Sequence, residues 1–231
     1  MNNTKTKTNK FKHAFISGNI LICIILFTLI IIRNQEFLLL DSNLTQSIYN
    51  SFKDNQLVID INVFITTYTL ASVFGFAFVS LCLLIKKNFR TLYIFFVTAL
   101  ISLFVEELLK NIIHRTRPFL SISGITNLST QTLSLSDYSF PSAHSVFAFY
   151  IATFIALRIK RKLLLKVLIF MLATAVALSR IILGVHYVSD IIAGSSIGIL
   201  LGFLSIYIEK RLLSSSKRLP DSSPNVSENI V

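Results

Sequence analysis

Long apolar runs constrain this chain more than any other feature. Residues 14–32, 61–85, 91–112, 143–158, 163–183 and 188–208 are each dominated by apolar side chains. A helix needs about 20 such residues to cross roughly 30 Å of hydrocarbon. The run at 143–158 is the shortest, and its start is the least defined by hydropathy. Backbone N–H and C=O groups cannot stay unpaired in lipid, so runs of this kind are helices. The expected architecture is therefore all-α: a six-transmembrane-helix bundle over residues 14–210. A basic cytoplasmic N-terminus (1–13) precedes it, and a polar cytoplasmic tail (211–231), expected to be disordered, follows. The first run is followed by "RNQEFLLLD", with no small-residue cleavage site, and reads as a retained anchor and not a signal peptide. Composition agrees: only 14% of residues are charged and mean hydropathy is +0.70, whereas a soluble domain carries about 25% charged residues.

The net charge of +11 does not point to nucleic acid. A nucleic-acid module concentrates its basic residues on one soluble face, and here they lie in short clusters between apolar runs. Those clusters set the orientation. Of the 22 Lys and Arg, 16 fall on the side that holds both termini. They are Lys5, Lys7, Lys10, Lys12, Lys86, Lys87, Arg90, Arg158, Lys160, Arg161, Lys162, Lys166, Lys210, Arg211, Lys217 and Arg218. That side is expected to be the cytoplasm. Loops 33–60, 113–142 and 184–187 then face outward. Cys23 and Cys82 lie inside apolar runs and read as packing residues, with neither a disulfide nor a thiol metal site.

Three outward clusters carry residue types that suit phosphate chemistry. In "KNIIHRTRPF", Lys110 and Arg117 lie about two helical turns apart, and Pro118 ends or turns the helix. The plainer reading is a basic helix end favoured by its dipole. In "SFPSAHSVFAFY", Pro141 and Ser142 open an apolar helix whose free amides suit an anion, and His144 sits in the first turn. Ordinary capping would explain the same residues. In "SRIILGVHYVSD", His186 and Asp190 are four apart and share a helix face, so the carboxylate can hold one imidazole nitrogen and leave the other free. Arg180 adds a planar cation, and Gly184 permits the turn between helices. A surface histidine with a nearby acid is the alternative. All three clusters fall on the same face of the expected topology, which favours one shared site.

Lys110-x6-Arg117-Pro118, Pro141-Ser142-Ala143-His144 and Ser179-Arg180-x5-His186-x3-Asp190 together resemble the three-part signature of the type 2 phosphatidic acid phosphatase family. That family also includes haloperoxidases and soluble acid phosphatases. The motifs span about 80 residues, and the six-span layout extends the resemblance over most of the chain. One departure is Ala143, where the family usually has glycine; alanine keeps the amide and suits a helix start.

The resemblance implies a metal-independent lipid phosphatase without a cofactor. His186 would be the nucleophile, Asp190 its orienting partner and His144 the acid and then the base. Lys110, Arg117, Arg180, Ser142 and the Ala143 amide would hold the phosphoryl oxygens. His114 and Arg115 are nearby extras, more simply a solvated basic turn, and Glu106 and Glu107 could pair with a basic residue near Lys110. The expected substrate is a lipid phosphate in the cytoplasmic membrane, undecaprenyl pyrophosphate first. Phosphatidylglycerophosphate, phosphatidic acid and lipid A phosphate are the alternatives. A haloperoxidase is disfavoured because those relatives are soluble. A lipid-binding or transport protein on the same fold is the non-enzymatic alternative. No nucleic-acid partner is expected, and the sequence does not define an oligomeric state.

Overall fold

The computed structural model describes residues 34–68, 73–130, 137–159 and 161–216. The expected first span (14–32), the basic N-terminus and residues 217–231 lie outside the described residues, whereas the start of the expected disordered tail (211–216) is helical. Every described element is helical: α1 (Gln35–Phe52), α2 (Gln56–Tyr68), α3 (Val73–Ile85), α4 (Phe89–Ile113), α5 (Pro118–Ser121), α6 (Ala143–Ala156), α7 (Leu163–Ile182) and α8 (Val188–Ser216). Seven of these have 13 residues or more, so helices outnumber the expected spans.

Two further expectations need correction. The segment 33–60, read as an outer loop, contains the 18-residue helix α1 and the start of α2. The Asn34 side chain starts α1 by accepting from the amides of Glu36 and Phe37, the usual way of satisfying free N–H groups at a helix start. The expected span 61–85 is divided between α2 and α3. Among the described residues, three helical segments are long and apolar enough to cross a membrane: Phe89–Ser121, which contains α4, then Leu163–Ile182 and Val188–Leu212. Along α4, Phe89, Tyr93, Phe96, Leu100, Leu103, Phe104, Leu108 and Ile112 are exposed, a lipid-facing stripe at helical spacing.

α6 is the centre of the bundle. Its 14 residues extend only about 21 Å at 1.5 Å per residue, short of the hydrocarbon thickness. Neighbouring helices compensate by enclosing it. Val146, Ala148, Tyr150, Ile151, Ala152 and Phe154 are all buried. The Phe95 ring of α4 stacks on Tyr150 at 5.5 Å and tilts against Phe154 at 4.7 Å. On the other side, α8 presents Gly194, Gly198 and Gly202 to α6. A Cβ at Gly198 would stand 2.3 Å from the Val146 carbonyl oxygen. The stripe of small residues thus lets two backbones approach closely, as helices in lipid commonly do.

Candidate active site

The three sequence clusters converge. α4 ends at His114, which adopts a left-handed conformation (φ 51°) and whose amide donates to the Lys110 carbonyl. The chain then turns through Arg115 and Arg117 into Pro118, the first residue of α5. α6 starts at its Ser142 cap, whose Oγ accepts from the Ser145 amide at 3.4 Å. The Ser142 amide donates to the Asp190 carbonyl at 3.2 Å, which ties the start of α6 to the start of α8. Between α7 and α8, the Arg180 carbonyl accepts from the amides of Val185 and His186. Gly184 makes this turn at φ +75°, and a Cβ there would meet the Thr126 carbonyl oxygen at 2.4 Å. Only glycine fits without strain at that position.

His186 and Asp190 are both buried. His186 Nδ1 lies 3.5 Å from Asp190 Oδ2, the long limit of a hydrogen bond. Its Nε2 lies 3.2 Å from Arg117 Nη1. The same guanidinium is held by carbonyl oxygens: Nε donates to Asp137 at 2.6 Å and Nη1 to Val185 at 3.0 Å. Burial, with the positive charges of Arg117 and Arg180, outweighs the attraction of Asp190 and pushes the His186 imidazole down to about 3. The ring is therefore neutral at pH 7, with a lone pair available. Arg180 is almost wholly buried. His144 lies within the electrostatic reach of Arg180, His186, Arg117 and Lys110. The structure thus gathers His144, His186, Asp190, Lys110, Arg117 and Arg180, with Ser142 and Ala143 at the adjoining helix start.

Several partners escape the motif reading. Lys110 Nζ pairs with Glu106 at 2.5 Å, one of the pairings open at the sequence level. Glu107 instead holds Asn111 through its carboxylate at 3.0 Å. Arg115, read as a solvated basic turn, is buried. Its Nη1 reaches Asp190 Oδ1 and its Nη2 reaches Asp41 Oδ2, each at 2.7 Å. It also lies over the Tyr187 ring, 3.7 Å from its centroid. The correction has a simple cause: two carboxylates draw the guanidinium inward. Ser139 Oγ donates to Asp190 Oδ2, and the Tyr187 amide donates to the same oxygen at 2.9 Å. α1 contributes further. Asp41 accepts from the Ser189 amide at 3.2 Å, and Thr45 Oγ1 accepts from the Val188 amide at 3.3 Å. These two side chains cap α8 from another helix, meeting the need of its first N–H groups.

The carboxylates around the site are thus engaged by cations: Glu106 by Lys110, and Asp41 and Asp190 by Arg115. Among the described residues, no group of three or more His, Cys, Asp and Glu is arranged to hold a metal ion.

An all-α membrane protein with a buried His–Asp pair facing arginine side chains is the class that fold and site define. The chain belongs to the PAP2 superfamily, whose family model matches residues 90–213. It is 36% identical to phosphatidylglycerophosphatase B of Bacillus subtilis (strain 168) over 77 residues, 30% of this chain and 38% of that one. The match thus spans well under two thirds of that relative. It is 33% identical to the bacitracin transport permease protein BcrC of Bacillus licheniformis over 148 residues, 55% of this chain and 70% of that one. Among solved structures, it resembles the transmembrane PAP2-type phosphatidylglycerolphosphate phosphatase from Bacillus subtilis, with a TM-score of 0.66 and 22% identity over 83% of this chain and 96% of that one. At that identity the likeness shows the fold. LpxE of Aquifex aeolicus is similar with a TM-score of 0.61 and 25% identity, over 71% of this chain and 93% of that one.

Proposed function

We propose that this protein is a lipid phosphatase that works through a phosphohistidine intermediate at the outer face of the cytoplasmic membrane. The observation that carries this reading is the two-sided environment of His186: Asp190 at Nδ1 and Arg117 at Nε2. A phosphoryl group beside Arg117 sits in front of the one imidazole nitrogen that Asp190 leaves available. Nε2 attacks phosphorus, and the bond to the leaving lipid oxygen breaks. His144, protonated as the negative charge of the phosphate comes to lie beside it, gives its proton to that oxygen. Asp190 stabilises the positive charge that His186 acquires. His144 then takes a proton from water, which attacks phosphorus and releases inorganic phosphate. Arg117, Arg180 and Lys110 offset the charge on the equatorial oxygens, with the first amides of α6, at Ala143 and His144, having no acceptor within their own helix.

Three cations supply this charge without a metal, so activity is expected to persist in excess chelator. The proposed substrate is a polyprenyl pyrophosphate such as undecaprenyl pyrophosphate. Its second phosphate offers additional charge to Lys110, Arg117 and Arg180. Arg115 adds nothing to that preference, because its guanidinium is committed to Asp41 and Asp190. Phosphatidylglycerophosphate is the second reading, favoured by the name of the first relative.

Phosphate release by purified protein, measured side by side on polyprenyl pyrophosphate, phosphatidylglycerophosphate, phosphatidic acid and lipid A, tests both levels. The expected result is the highest kcat/KM for the polyprenyl pyrophosphate. A tenfold preference for another lipid would overturn the substrate and leave the reaction class. No release from any would overturn the reaction class. In intact cells, a cysteine at Asn127 should react with an impermeant thiol reagent and one at Asn88 should not; the reverse would place the site in the cytoplasm.

A further inference from the structure

We propose that Asp41 and Arg115 are positioning residues for the phosphatase reaction, so that α1 belongs to the catalytic apparatus. This inference rests on the function proposed above and extends it to residues outside the three motifs.

The geometry is a chain of buried contacts from α1 to the nucleophile. Asp41 Oδ2 accepts from Arg115 Nη2 at 2.7 Å, Arg115 Nη1 donates to Asp190 Oδ1 at 2.7 Å, and Asp190 Oδ2 faces His186 Nδ1 at 3.5 Å. Ser189 Oγ donates to Asp41 and accepts from Arg115 Nη1 at 2.6 Å, so the junction is braced from α8 as well. Arg115 occupies one carboxylate oxygen of Asp190 and thereby fixes which oxygen is presented to His186.

Charge balance gives Asp41 a role beyond packing. Arg115 alone would neutralise Asp190 and cancel its pull on the positive charge that His186 gains during phosphoryl transfer. Asp41 offsets Arg115, and the buried trio retains one net negative charge beside the imidazole. In a low-dielectric interior such a charge acts strongly on its neighbours. Arg115 is held at both Nη atoms by Ser189, Asp190 and Asp41, so its removal should alter the chemical step and leave substrate capture nearly intact.

The test is kcat and KM on a detergent-dispersed lipid phosphate, normalised to folded protein by thermal melting, for Asp41→Asn, Arg115→Ala and Arg115→Lys, with wild type and His186→Ala alongside. Asp41→Asn keeps the side-chain shape and removes the charge. It is expected to lower kcat about 10- to 100-fold, the range typical of partners that orient a reacting group, with KM within about twofold of wild type. Arg115→Lys should fall between wild type and Arg115→Ala in kcat. Asp41→Asn at wild-type kcat would overturn the proposal, as would a loss confined to KM or variants that melt earlier at unchanged kcat. If Arg115→Ala does not fold, the isosteric Asp41→Asn alone decides. A wild-type protein with no phosphatase activity, or a His186→Ala variant as active as wild type, would instead overturn the underlying function.

Discussion

Two ionic clusters lie at opposite ends of the bundle: one joins α4, α6 and α8, and the other draws on α7 and α8 and the turn after α4. At one end, Arg158 near the close of α6 pairs with Glu209 of α8 at 2.6 Å, and Thr91 of α4 donates to the same carboxylate at 2.5 Å. Arg158 also lies 3.5 Å over the Phe154 ring and donates to the Phe154 carbonyl. At the other end are Arg115, Arg117, Arg180, His186 and Asp190. The Arg158 cluster is closed: one cation meets one carboxylate, and side-chain exposures of 23% and 19% leave the pair partly hydrated. The His186 cluster is deeper, with side-chain exposures of 3% for His186 and 0% for Asp190. There Arg117 is held by carbonyl oxygens and turned onto His186 Nε2. A tie between helices needs only mutual neutralisation. A site for an anion needs positive charge directed at the place the anion will occupy.

Substitutions at the two ends should therefore separate activity from stability. The largest effect is expected from His186→Ala, which removes the proposed nucleophile and should lower phosphate release by about 10⁴-fold or more, by analogy with other covalent catalysts. Turnover near that of wild type would end the comparison. Asp190→Asn comes next, at about 10²- to 10⁴-fold in kcat, because an amide cannot hold the imidazole in the required tautomer. At the opposite end, Glu209→Gln should leave kcat per folded molecule within about twofold. It should destabilise the bundle by about 1–3 kcal/mol, discounted for the partial hydration of the pair. A kcat loss as large as that of Asp190→Asn would show that the two ends are not independent.

The last test is of pH dependence. An unfolded histidine binds a proton below about pH 6.5, whereas folded His186 takes one up only near 3. The unfolded chain thus binds more protons between those limits. The stabilisation from His186 is fully present above pH 6.5 and is lost as pH falls toward 3. Melting curves of wild type and His186→Asn should converge across that interval, and parallel curves would sink the assignment of a neutral buried ring.

The long apolar segments were readable in the sequence because α4, α7 and α8 have enough uninterrupted hydrophobic residues to span lipid. A shared site for Lys110, Arg117, His144, Arg180, His186 and Asp190 was expected from the common face of the topology and from the family resemblance, not from any one motif. α1 was not readable in the same way. Its buried face is Asp41, Thr45 and Tyr49, a polar stripe at four-residue spacing, while Leu39, Leu40 and Leu44 are exposed. In water that pattern would be inverted; in a membrane protein it is the one that buries charge in the bundle, and hydropathy cannot tell which face turns inward. The cap at Asn34 was the local signal for a helix. Ser139 lay just before the motif and was passed over because its partner, Asp190, is 51 residues away. The repeat Gly194-x3-Gly198-x3-Gly202 was no part of the sequence expectation, although small residues at four-residue spacing are a known device of close helix packing in lipid.

That repeat has a kinematic consequence. With Gly198 backed against the Val146 carbonyl and Gly202 against Thr153, α6 and α8 form one stiff strut. It fixes His144 relative to Asp190, because the two helices begin side by side. Sliding one along the other would drive larger α8 side chains into the α6 backbone. Any opening of the bundle must therefore come from other helices moving around this strut, while the spacing of His144 and Asp190 stays constant.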